Sequence, residues 1–88
     1  MKNADVASRL ASLRADVATG RVGVDEVGLE FERLTFELAE LRPGDDERLA
    51  ALVNDIELIR FTRRPENQRP AIAEVLAQAQ ALVDELRT

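Results

Sequence analysis

Residues 25–41 read DEVGLEFERLTFELAEL. Val27, Phe31, Leu34, Leu38 and Leu41 recur at i, i+4, i+7, i+11 and i+14, one apolar stripe at the period of an α-helix. Leu29 and Phe36 lie seven residues apart on one side of the same helix, about 180° from that stripe at roughly 100° per residue. Glu26, Glu30, Glu32, Glu37 and Glu40 run between the two apolar sides. The stretch predicts a helix with a core face, an acidic flank and a second, smaller apolar face.

Outward from this helix the pattern repeats. Val6, Leu10, Leu13 and Val17 stripe a first helix from about Ala4 to Thr19, with Asn3 as its N-cap and Gly20 free to go left-handed at its end. Gly23 can cap the second helix, with Val22 facing Val27 as a hydrophobic staple. Pro43 should end it, because its ring disfavours helical geometry at Arg42. A third helix is expected from Asp46 to about Thr62, capped by Asp45 and striped by Leu49, Leu52, Val53, Ile56 and Ile59. Residues 64–69 read as a polar connection after Pro65, with Pro70 in the first turn of a fourth helix. That helix carries the cleanest stripe: Ile72, Val75, Leu76, Ala79, Leu82, Val83 and Leu86. No segment alternates at the period of a strand. The expected fold is an all-α antiparallel bundle of four helices in a single domain spanning residues 1–88, with Leu38 and Ile56 in its core.

Composition narrows the chemistry. A chain of 88 residues buries only about 60% of its unfolded surface, so self-association would help it. There is no Cys and no His, which removes thiolate sites, the usual neutral-pH proton shuttle and the commonest transition-metal ligand. The hydroxyl residues show no nucleophile elbow, and Gly20-Arg21-Val22-Gly23 is not a phosphate loop, since acids follow it. Asp45-Asp46-Glu47 is too short for a calcium loop. The sequence therefore predicts neither catalysis nor a cofactor. No apolar run reaches the roughly 18 residues that span a bilayer, and Met1 to Asp5 has no apolar signal core, so a cytoplasmic protein without a membrane partner is expected.

Charge is uneven. Residues 25–47 carry nine acids against Arg33 and Arg42, a net −7, whereas residues 60–69 carry four Arg against Glu66, a net +3. The basic segment has one aromatic residue and sits in a chain of net charge −5, which argues against nucleic acid and for helix-end and ion-pair roles. The second apolar face (Leu29, Phe36, Leu58, Phe61) admits two readings: intrachain core, or an oligomer interface, most simply a two-fold dimer.

Three features carry a resemblance over about residues 10–86. A first helix closes at Thr19-Gly20-Arg21-Val22. An acidic, apolar second helix contains Glu30-Phe31. A third helix contains Ile56-Glu57-Leu58-Ile59-Arg60-Phe61 before a proline break. In these the chain resembles the small helical immunity proteins of the colicin D type, which neutralise tRNA-cleaving toxins. The resemblance implies a non-enzymatic inhibitor whose acidic surface covers a basic nuclease domain. The matching acids would be Glu30, Glu37, Glu40, Asp45, Asp46 and Glu47. The stretch Gly23-Val24-Asp25 and the Arg60–Arg64 cluster depart from the pattern. Two other expectations stand beside this one. One is a homodimeric structural or regulatory bundle. The other is an enzyme, because Leu13-Arg14-Ala15-Asp16 is similar to the opening of the all-helical chorismate mutases.

Overall fold

The structure, a computed structural model, describes residues 2–86. Among these the chain is all-α: α1 (Lys2–Ala18), α2 (Val24–Phe36), α3 (Asp45–Thr62) and α4 (Pro65–Leu86). Each helix packs on its neighbours in sequence, and α1 against α4 closes the bundle with its most extensive contact. Cross-helix bonds give the directions. Asn3, at the start of α1, bonds Ala39 just past the end of α2, and Arg60, late in α3, reaches Asp25 at the start of α2. Gln80, late in α4, donates to the carbonyl of Ala7. Successive helices are therefore antiparallel.

The four stripes make the core. Leu10, Ile56, Ile72, Leu76 and Ala79 are fully buried, and Val6, Val27, Phe31 and Leu82 are nearly so. Gly20 ends α1 at φ 77°, with the Arg21 amide on the Asp16 carbonyl and the Gly20 amide on that of Val17, a Schellman closure. Gly23 is the N-cap of α2, and Val22 packs against the core. No helix among the described residues is long and apolar enough to cross a membrane.

Four local expectations are corrected, each by a long-range contact or a turn. Asn3 does not cap α1 from outside. It lies inside the helix, buried, with Nδ2 donating to the carbonyls of Ala39 (2.8 Å) and Leu86 (3.2 Å) and Oδ1 accepting the Ala39 amide (2.8 Å). That clamp also explains the second correction. α2 stops at Phe36 rather than continuing to Leu41, because the amide and carbonyl of Ala39 bond to Asn3 instead of extending the helix. Glu40 then turns left-handed at φ 57°. Leu38 consequently lies half-buried against the core, not fully inside it.

Third, Gly44 at φ 89° is the N-cap of α3, and Asp45 sits in its first turn. The Asp45 carboxylate accepts the Arg42 amide and Arg42 Nε, both at 2.9 Å, so it fastens the preceding loop and leaves the helix amides alone. Fourth, residues 65–69 are helical, not a connection. Pro65 takes the first position of α4, where no amide is needed, and Pro70 lies inside the helix. The polar residues of this opening stretch bridge the bundle's corners. Gln68 donates to the carbonyls of Arg60 and Arg63 at the end of α3. Arg69 donates to those of Val17 and Val22 at the α1–α2 connection. Carbonyls at and just beyond the helix ends, where intrahelical donors run out, thereby gain side-chain donors.

Candidate interaction surface

Among the described residues the large apolar side chains left exposed are Leu29 (53%), Phe36 (79%), Leu58 (50%) and Phe61 (80%). These are the four residues of the second apolar face. The bundle does not bury them: α2 and α3 already turn Phe31 and Ile56 inward, and no further helix covers their outer sides.

The four do not share one depression. Phe36 lines a groove of about 350 Å³ between α2 and α3, with Leu49, Ala50 and Val53 on its floor and Glu32, Asp46 and Glu57 around it. Leu29 lines an adjoining groove of about 240 Å³ between the same helices, which shares Glu32, Val53 and Glu57 and adds Asp25 and Arg60. Leu58 borders a different groove, between α3 and α4, with Asp55 and Glu74. Phe61 stands near the C-terminal end of α3.

The six acids expected on one surface are dispersed. Glu30 pairs with Arg33 at 3.1 Å and borders the α1–α2 groove. Glu37 pairs with Arg9 at 2.6 Å; that bond holds its carboxyl below the usual carboxylate range and raises the Arg9 guanidinium. Asp45 is 2% exposed, bound by Arg42 and flanked by Arg48, and its carboxyl is likewise held low by the Arg42 bond. It is thus a bolt for the α2–α3 loop and cannot offer its charge to a partner. Glu40 and Glu47 are exposed, and Asp46 alone of the six lines the α2–α3 groove. Helical acids a few residues apart face different neighbours once four helices surround one core.

The candidate set omitted Asp25, in the smaller α2–α3 groove, and also Glu32 and Glu57, which line both α2–α3 grooves. Their signal was present: Glu32 lies one turn before Phe36, and Glu57 one turn after Val53. Choosing them required knowing that α2 pairs with α3 along these sides. Among the described residues neither Glu32 nor Glu57 forms an ion pair, nor does Asp46. Of the basic segment, Arg60 does pair with α2, through Asp25 at 3.1 Å. Arg69 is bound to backbone carbonyls, whereas Arg63 and Arg64 are exposed, with no ion partner among the described residues.

Chemically the α2–α3 groove offers an exposed aromatic ring, aliphatic side chains and carboxylates that have no ion partner among the described residues. Among the described residues no group of three or more acids is placed to hold a metal ion. Compared with models of known protein families, with curated proteins and with solved structures, the chain matches none of them.

Proposed function

We propose that this chain is a non-enzymatic protein-interaction module that receives a basic partner along the α2–α3 groove. One observation carries the reading: Phe36, 79% exposed, shares a groove with Glu32, Asp46 and Glu57, three carboxylates with no ion partner among the described residues. An exposed aromatic over an aliphatic floor is the kind of anchor that supplies most of an interface's energy when covered. Uncompensated acids around it attract a positively charged surface, raise the rate of encounter and reject acidic competitors.

The sharpest form of this function is an immunity-type inhibitor that covers the basic substrate site of a nuclease toxin. The resemblance of the helix patterns supports it. The acids that would meet such a partner are Glu32, Asp46 and Glu57 in the groove, with Glu40 and Glu47 exposed beyond it. Glu30 and Glu37 are directed to other cations of the chain, and Asp45 is enclosed.

Affinity capture from the source cell with wild type, Phe36→Ala and a triple Glu32→Lys, Asp46→Lys, Glu57→Lys variant tests the proposal. A basic protein retained by wild type and lost by both variants is the expected outcome. Association with that protein should slow steeply as salt rises, because exposed charges are screened over about 8 Å at physiological ionic strength. A partner held equally by all three proteins would overturn the reading.

A further inference from the structure

We infer that a second copy of the chain docks on the outer ridge of α3, the two α3 helices packing antiparallel about a two-fold axis at the level of Ile56. This ridge adjoins the α2–α3 groove, which Asp46 and Asn54 also line, but its apolar anchors Leu58 and Phe61 lie outside that groove. The inference does not depend on the function proposed there.

Glu47, Ala51, Asn54, Leu58 and Phe61 are all exposed, at spacings of four, three, four and three residues. That is the spacing of a coiled-coil seam, which keeps one line of side chains facing a partner helix. The core stripe Leu49, Leu52, Ile56 and Ile59 runs along the other side of the same helix, so α3 carries two seams and the bundle consumes one. The acids that flank the ridge turn to its sides. Glu57 lines the groove toward α2 and Asp55 the groove toward α4. They face their own copies only obliquely across the axis.

Size and charge along the ridge both select the antiparallel arrangement. The ridge is small near its start (Ala51, Asn54) and large near its end (Leu58, Phe61). Parallel helices would stack ring on ring and leave a void between alanines. Antiparallel helices set each Phe61 over the partner's Ala51 and each Leu58 over the partner's Asn54. Both pairs are centred on Ile56, so one axis serves them.

The same axis brings the start of α3, with Asp46 and Glu47, opposite Arg63 and Arg64 just beyond its end. None of these four charges forms an ion pair among the described residues. Two-fold symmetry repeats the match at both ends, as a self-complementary patch requires. One helix pair covers little area, so the dimer is expected to be weak and concentration-dependent.

Sedimentation equilibrium on the whole chain, up to about 1 mM, reads the association directly. Wild type should approach twice the monomer mass. Leu58→Ala with Phe61→Ala should weaken dimerisation at least about tenfold, with helicity unchanged, since both side chains are exposed in the single chain. Glu47→Arg and Arg64→Glu should each weaken it, and the double charge exchange should restore it. Phe36→Ala should leave it as it is. A wild type monomeric throughout the range overturns the proposal, as does a dimer indifferent to Phe61 or dissociated by Phe36→Ala. A charge exchange without recovery overturns the antiparallel register.

Discussion

The α1–α4 half of the bundle differs from the α2–α3 half in what it shows to water. α1 and α4 turn their apolar stripes inward and present small or polar residues outside, among them Ser8, Ser12, Ala73, Ala77 and Gln78. Their mutual contact is the largest in the molecule. α2 and α3 bury an equally regular stripe, yet leave two Phe and two Leu exposed. The fold does not use those side chains, and exposed aromatics lower solubility, so the difference separates a half that holds the bundle together from a half that presents a surface.

Substitutions can break this comparison. Leu10→Ala in α1 and Leu76→Ala in α4 should each cost about 2–5 kcal/mol in urea unfolding, because both side chains are fully enclosed and would leave cavities. Phe36→Ala and Phe61→Ala should each change stability by less than about 0.5 kcal/mol despite removing a larger group. Comparable losses in both sets would mean that the outer residues of α2 and α3 belong to the folded core after all. Leu38→Ala should fall between, near 1 kcal/mol, since the side chain is only half-buried.

The clamp at Asn3 joins the two halves, and its removal is the next largest effect. Asn3→Ala leaves the amide and carbonyl of Ala39 without their partner and should cost about 1–3 kcal/mol. Amide hydrogen exchange at Ala39 should accelerate in the variant. Unchanged protection there would show that the α2–α3 loop is held by other contacts.

Asp45 sharpens the comparison within the α2–α3 half. Its carboxyl is held below the ordinary value by the Arg42 bond, so the stability it contributes is complete above the unfolded carboxyl's pKa. That contribution is lost as the pH falls through the lowered folded-state value. Wild type should therefore lose part of its stability on acidification that Asp45→Asn has already lost at neutral pH. Parallel pH profiles for the two proteins would remove this role. A small gain, not a loss, is expected at Gly28, mid-helix in α2. A Cβ built there lies 3.5 Å from Ile56 Cγ2, an ordinary contact, so Gly28→Ala should raise the thermal midpoint by an amount worth about 0.5–1 kcal/mol. A loss instead would show that α2 approaches α3 more closely than this contact implies.

That Leu29, Phe36, Leu58 and Phe61 are exposed and not buried by a further helix was decided by the packing. Periodicity alone was enough for the helical class, the four stripes, Gly20 and Gly23 at their ends, and the grouping of those four residues on second faces. These are properties of one helix at a time: a 3.6-residue repeat assigns each side chain to a side of its own axis before any neighbour is known. What a side faces depends on which helix lies beside it and at what height, and the repeat carries no information about that. Asn3 therefore looked like a cap, although its true partners are 36 and 83 residues away. Asp45 looked like a cap and a contact acid until Arg42 folded back on it. Residues 65–69 looked like a loop because their polar side chains have no local use; Gln68 and Arg69 spend them on carbonyls of other helices. The candidate surface divides in the same way. Its apolar anchors follow from spacing, while the pairing of Glu32 with Glu57 across one groove exists only because α2 and α3 lie side by side.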